Sequence, residues 1–154
     1  MAVVAIFSMT SCSTYNSMVS KDEAVKTAWS NVETQYQRRA DLIPNLVSTV
    51  KGYASHEEST LQAVVDARAK ATSISLSAEE LSADNLAQYQ QAQSSVTSAL
   101  GRLIAISENY HDLKANQNFL ELQAQLEGTE NRITVARKEF NEATQAYNTQ
   151  VRKF

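Results

Sequence analysis

Apolar side chains recur along most of the chain at a period of about 3.6 residues, which predicts amphipathic helices. The first series follows Ser20, which has the spacing of a capping box with Glu23 and predicts a helix start. Its members are Trp29, Val32, Tyr36, Arg39, Ile43, Leu46, Val50 and Tyr53. We therefore predict a long first helix whose seam is apolar except at Arg39.

A polar cluster interrupts this first series, and it comprises Arg38, Arg39, Asp41, Pro44 and Asn45. Proline removes a helical hydrogen bond and clashes with the preceding turn, so Pro44 predicts either a kink or a restart of the helix. The seam keeps its phase on both sides, which favours a kink. Arg39 lies on the seam and needs a carboxylate partner, because an unpaired buried charge is very costly. The cluster has two interpretations, a kink stabilised by charge pairing or a site for docking a partner.

Three further helices are expected. Ser55 and Glu58 form a second capping box, residues 72–85 form a Ser-rich acidic loop with a short turn after Ser77, and a third helix follows Asp84. The polar segment HDLKANQ is a connection, and a fourth long helix runs to the end. The apolar stripe of the second helix comprises Leu61, Val64, Val65, Ala67, Ala71 and Ile74. The stripe of the third helix comprises Leu86, Tyr89, Val96, Leu100, Leu103, Ile106 and Tyr110. The stripe of the fourth helix comprises Phe119, Leu122, Leu126, Ile133, Ala136, Phe140, Ala143, Tyr147 and Phe154.

A glycine stands within the fourth helix. Gly128 predicts the close approach of another helix, since a mid-helix glycine costs up to about 1 kcal/mol relative to alanine. A gap for a ligand is the other interpretation. The nearby Thr129, Asn131 and Arg132 are candidates for a polar layer with Arg39.

The fold predicted from these helices is all-α. The chain has only three glycines and one proline, whereas a sheet-rich fold needs many tight turns. Each helix has one apolar face that it cannot bury alone, and short connections make neighbours antiparallel. We predict an elongated, antiparallel, up-and-down four-helix bundle. A three-helix variant, with the second stretch continuous with the first, is the alternative.

The N-terminal segment differs from the rest. Residues 2–11 are mostly apolar and uncharged, and the small residues Thr10 and Ser11 stand directly before Cys12. This arrangement resembles the end of a bacterial lipoprotein signal. This pattern predicts a signal or membrane-anchor segment over residues 1–19, with lipid attached to Cys12, and a helical bundle over residues 20–154. A transmembrane anchor is the alternative, because the segment departs from a lipoprotein signal in two ways. Met9 stands three residues before the cysteine, where such a signal usually has leucine, and no Lys or Arg precedes the apolar run.

Three stretches resemble the LemA family. They are YNSMVSKDEAVKTAW from Tyr15, YQRRADLIPNLVSTVKGYA from Tyr36 leading into HEESTLQAVVDARAKA from His56, and LKANQNFLELQAQLEGTENRITVARKEFNEATQAYN from Leu113. The resemblance implies a helical bundle behind a membrane anchor or lipoprotein signal. It implies no catalytic residues, and members of the family are generally described as membrane proteins of uncertain function.

Candidate chemistry in the chain is sparse. The net charge of -3 does not suggest a nucleic-acid partner, which usually selects a basic face. Glu108 and His111 make only one Glu-x-x-His pair, whereas a di-iron bundle needs two, and His56 lies outside an HExxH motif. We therefore predict no metal, no cofactor and no catalytic residues.

The function predicted from the sequence is that of a non-enzymatic interaction or scaffold protein of the bacterial envelope. Its partners would be the membrane, through a lipid or an N-terminal span, and other proteins. A lipoprotein would place the bundle outside the cytoplasm, while a span leaves the cytoplasmic face open. A self-assembling structural membrane protein is the first alternative, and a metal-binding or enzymatic bundle is the second.

Overall fold

The computed structural model describes the backbone of residues 2–153 and the side chains of residues 12–153. Every regular element in this part of the chain is helical, which confirms the predicted all-α class. The elements are α1 (Ala2–Lys51), α2 (Glu58–Ser73), a 3₁₀ turn (Ala78–Glu80), α3 (Ala83–Ser107), the short α4 (His111–Lys114) and α5 (Gln117–Val151). The separation of α1 from α2 excludes the three-helix variant.

The chain forms two compact units. Unit 1 combines Met1–Glu33 with Thr134–Phe154, and unit 2 is Thr34–Ile133. The bounds of α1 and α5 place part of each helix in both units, whereas α2, α3 and α4 belong to unit 2 alone.

Unit 2 is a four-helix bundle with one apolar core. Two contacts show how α1 and α5 run relative to each other. Arg39 contacts Glu130 of α5, whereas Thr49, which comes later in α1, contacts Asn118, which comes earlier in α5. The helices α1 and α5 are therefore antiparallel within this unit. The core residues are Ile43, Leu46, Val50, Ala54, Leu61, Val64, Ala71, Ala92, Val96, Ala99, Leu100, Leu103, Leu113, Phe119, Leu122 and Leu126. Most of them come from the four long helices of the bundle. Ala54 lies between α1 and α2, and Leu113 lies in the short α4, within the segment HDLKANQ that was predicted as a connection.

Unit 1 is a pair of antiparallel helical segments from α1 and α5. Trp29 is only 1% exposed and packs against the ring of Phe140, with 5.2 Å between the ring centroids. Further along the pair, Lys21 Nζ donates to Gln150 Oε1 at 3.3 Å. The buried positions therefore follow the stripes predicted for the first and last helices.

Two predicted helix starts are wrong. Ser20 lies inside α1, so its spacing with Glu23 does not mark a helix start. At α2 the residue before the first helical turn is Glu57, and no side chain caps that end. The sequence signal was ambiguous because capping residues are also tolerated inside or beside helices when tertiary packing holds the helix.

The connection before α3 is shorter than the predicted loop over residues 72–85, since α2 continues to Ser73 and α3 begins at Ala83. The 3₁₀ turn follows Ser77, as expected, and Ser82 Oγ accepts a hydrogen bond from the backbone N–H of Asn85 at 3.2 Å. This contact satisfies one of the N–H groups that have no partner within a helix at its first turn.

The predicted anchor overlaps the start of α1. The side chains of residues 1–11 lie outside those described, so the predicted signal or anchor character of this segment stays a prediction, as does the boundary at residue 19. Cys12, the first described side chain, is exposed. Among the described residues, no helix contains a stretch both long and apolar enough to cross a membrane.

Candidate functional site

The guanidinium of Arg39 is the centre of a buried polar network in unit 2. The residue is 1% exposed, and its Nη1 donates to Thr97 Oγ1 at 2.7 Å and to Glu130 Oε1 at 2.9 Å. Its Nη2 donates to the backbone oxygen and the side-chain Oε1 of Gln93, at 2.8 and 2.9 Å. The predicted carboxylate partner of Arg39 is thus confirmed, and it is Glu130.

This network joins three helices at one level of the bundle. Arg39 belongs to α1, Gln93 and Thr97 to α3, and Glu130 to α5. The Cζ of Arg39 also lies 5.0 Å from the centroid of the Tyr36 ring, a distance at which the ring face attracts a cation. Because a guanidinium presents its donors in a fixed plane, these acceptors hold the three helices in one register.

The other members expected in the polar layer are placed differently. Thr129 is buried, but its hydroxyl donates to the backbone oxygen of Gln125 at 2.8 Å. Asn131 and Arg132 are exposed, so the layer predicted from them is wrong. The sequence did contain one sign of the actual network around Arg39. Gln93 is a polar residue that interrupts the apolar stripe of the third helix between Tyr89 and Val96.

Pro44 neither breaks nor restarts α1, which runs through it to Lys51. A proline has no N–H, so the carbonyl of Ala40, four residues earlier, loses its usual helical donor. Arg68 of α2 supplies a replacement, since its Nε donates to Ala40 O at 2.8 Å. This contact satisfies a carbonyl that would otherwise be buried without a partner, and nothing in the sequence alone pointed to Arg68.

The predicted docking cluster does not form one surface with Arg39. Arg38, Asp41, Pro44 and Asn45 are exposed, while Arg39 points into the bundle. Asp41 accepts a hydrogen bond from Gln37 Nε2 at 2.9 Å along the same helix. The docking role of the exposed members stays a prediction, because none of these contacts tests it.

A groove of about 410 Å³ lies between α3 and α5 in unit 2. Its walls are largely apolar, and among the described residues that line it only Glu127 and Glu130 carry a charge. The lining residues are Thr97, Leu100, Gly101, Ile104, Leu126, Glu127, Glu130 and Asn131. Glu130, with its side chain 38% exposed, belongs both to the groove and to the network around Arg39. The groove therefore meets the buried ion pair at its edge.

The two mid-helix glycines near this groove have open space beside them. A Cβ added to Gly101 or to Gly128 would meet no atom within 4 Å, apart from the backbone of its own helix. The close helix approach predicted at Gly128 is therefore wrong. Gly101 lines the groove and Gly128 does not.

The histidine-containing pair shows no metal-site geometry. Glu108 and His111 are exposed, at the end of α3 and the start of α4. Within the part of the chain that the structure describes, no three His, Cys, Asp or Glu side chains come close enough together to hold a metal ion.

Comparison with known proteins gives a family and a set of distant relatives. The sequence model of the LemA family matches residues 28–154. Magnetosome protein MamQ 2 of Paramagnetospirillum magneticum is 27% identical over 98% of this chain and 62% of the relative. Magnetosome protein MamQ of Magnetospirillum gryphiswaldense is 27% identical over 91% of this chain and 58% of the relative. The chain thus spans about three fifths of the length of the relatives it matches.

Proposed function

The chain belongs to the LemA family, and from that membership we propose that it is a membrane-tethered, non-enzymatic interaction protein of the bacterial envelope. One structural feature supports the proposed tether. The helix α1 extends without a break from Ala2, in the apolar segment, to Lys51, in unit 2. Cys12 and Arg39 therefore lie on the same helix, so that a lipid on Cys12 would attach the membrane directly to a helix of the bundle.

The interaction role is supported by the way unit 2 uses its polar groups. The charge of Arg39 is directed inward and holds α1, α3 and α5 together. What unit 2 presents to a partner is a rigid helical surface with an apolar groove in it. Such a surface suits a scaffold, because little conformational freedom is lost on binding.

Membrane fractionation tests the tether. The full chain, with a C-terminal tag, is expressed in a bacterial host and its membranes are washed with carbonate. We expect the wild-type chain and a Ser13→Ala control in the membrane fraction, and we expect Cys12→Ser to move to the soluble fraction of the envelope. Retention of Cys12→Ser in the membrane would favour a span over a lipid. Recovery of the wild-type chain in the soluble fraction would refute the tether.

Cross-linking of the same membranes tests the interaction role. We expect one partner polypeptide to be joined to the chain in repeated preparations, and to be lost when Cys12→Ser releases the chain from the membrane. If only uncross-linked chain is recovered at every cross-linker length, the interaction role is wrong.

Self-assembly is the second candidate, and exposed apolar side chains in unit 1 favour it. Tyr15 is 68% exposed, Val19 is 45% exposed, and Val151 is 40% exposed. Packing between copies would remove this apolar surface from water. Sedimentation velocity of the purified chain tests the idea, and a single monomeric species over a hundredfold concentration range would contradict it.

A further inference from the structure

We propose that the groove between α3 and α5 binds an amphipathic helix of a partner protein, one that presents apolar side chains flanked by Lys or Arg. This proposal rests on the interaction role proposed above and specifies the class of partner. It is carried by the position of the groove between two helices, by its charge and by the space beside Gly101.

The groove runs between two helices of unit 2. Its lining comes from one stretch of α3 and one stretch of α5, and within each helix the lining residues are either adjacent or three to four positions apart, so they share one face of that helix. Ile104 is its partly exposed apolar residue, while Leu100 and Leu126 are core residues that form its floor. Rows of this spacing leave furrows between helices that accept the side-chain ridge of another helix.

The charge of the groove selects a basic partner. The ion pair with Arg39 compensates the carboxylate of Glu130. Glu127 is exposed, and within the described residues no Lys or Arg lies within ion-pair distance of its carboxylate. A Lys or Arg beside an apolar anchor on the partner would reach Glu127, and an acidic helix would be repelled.

Gly101 leaves one wall of the groove open. A Cβ there would meet nothing within 4 Å, so the volume beside it belongs to the groove rather than to a neighbouring side chain. A larger residue at this position would fill the groove without displacing protein atoms. The position thus offers a blocking substitution that should leave the fold intact.

A designed peptide is the probe. It is a helix of about 18 residues, or five turns, with Leu on one face, Lys beside it, and one photoactivatable Leu analogue. Its matched control replaces every Lys with Glu. Each peptide is irradiated with the purified full chain in zwitterionic detergent, and mass spectrometry locates the cross-links. We expect the Leu/Lys peptide to label residues 97–104 and 126–131, at about a tenfold lower concentration than the Leu/Glu peptide.

A pair of glycine variants shows whether the groove is the site. Gly101→Leu fills the groove, and we expect it to raise the peptide concentration needed for half-maximal labelling about tenfold. Gly128→Leu adds the same side chain at a mid-helix glycine outside the groove, and labelling should match wild type. Circular dichroism checks that both variants retain the helical fold.

A pair of charge variants tests the basic partner. Glu127→Gln should weaken labelling by the Leu/Lys peptide about two- to fivefold, the range of an exposed ion pair. Glu121→Gln removes an exposed carboxylate of α5 that does not line the groove, and it should have no effect.

Three results would overturn the proposal. They are equal labelling by both peptides, labelling of Gly101→Leu at the wild-type concentration, and groove-to-groove cross-links between two copies of the chain. Absence of labelling by either peptide at millimolar concentration would also overturn it. None of these results bears on the tether or on the envelope partner, which the membrane experiments test separately.

Discussion

Replacing Arg39 with methionine removes the guanidinium while keeping a side chain of similar length. A hydrogen bond to a charged group contributes about 1.5–3 kcal/mol, so the loss of four such bonds sets a large upper limit on the fall in the free energy of unfolding. Two effects make the actual loss smaller. Gln93 O keeps a hydrogen bond from the Thr97 hydroxyl at 3.3 Å, and water can solvate Glu130, whose side chain is 38% exposed. Gln93 Oε1, in a residue only 8% exposed, is left without its donor. We expect the free energy of unfolding to fall by about 2–3 kcal/mol.

Urea denaturation followed by circular dichroism measures this loss. We expect the midpoint of Arg39→Met to decrease with an unchanged dependence on urea concentration, the signature of lost stability without a change in compactness. Buried ion pairs can also be replaced by apolar residues without loss. A variant as stable as wild type would therefore refute the claim that this network stabilises the bundle.

A double-mutant cycle separates the ion pair from the rest of the network. Glu130→Gln alone should cost about 1 kcal/mol, because its side chain is partly exposed and can still accept from Arg39. We expect Arg39→Met and Glu130→Gln together to cost less than the sum of the two, by about 1 kcal/mol. Strict additivity would show that the two residues stabilise the protein independently.

Three further outcomes follow from the same structure. Arg68→Met should lower the free energy of unfolding by about 1–2 kcal/mol. The loss should be smaller in a Pro44→Ala background, because residue 44 then has an N–H that can donate to Ala40 O. Equal losses in both backgrounds would contradict the role assigned to Arg68. Gly128→Ala should raise the stability by up to about 1 kcal/mol in thermal melts, and a loss would indicate packing against that position. Burial raises the pKa of Glu33 above its ordinary value of 4.5, with the hydrogen bond from Trp29 opposing the shift. The folded state therefore disfavours the ionised carboxyl, so Glu33→Gln should be more stable than wild type at pH 7. This gain in stability should disappear below pH 4.5, where the carboxyl of the wild type is protonated in both states. A gain that persists at low pH would contradict this reasoning.

The helices could be predicted because their signal is periodic. The stripes place Trp29, Ile43 and Leu103 in the core, and each is 1% exposed. One deviation lies inside a helix, where Val65 of the predicted α2 stripe is 42% exposed, and another lies at a helix end. Tyr53 continues the stripe of α1 in the sequence, yet it is 43% exposed because α1 ends at Lys51. Periodicity alone does not fix such boundaries, since the last turn depends on the packing of the loop that follows.

The candidate site could be predicted only in part, for a different reason. A charge on the seam at Arg39 implies a carboxylate partner, but the identity of Glu130 depends on the register between α1 and α5. Arg68 was missed for the same reason, since it contacts Ala40 across two helices that are separate in sequence. The groove was missed because its walls come from α3 and α5, and each wall is unremarkable by itself.

The proposed tether has one direct test, the mass of the N-terminus of the chain recovered from the membrane and soluble fractions of a bacterial host. We expect the chain in the membrane fraction, with the bond between Ser11 and Cys12 cleaved and diacylglycerol on the Cys12 sulfur. A chain that retains an unmodified Cys12 and an intact bond, and that is recovered from the soluble fraction, would contradict it.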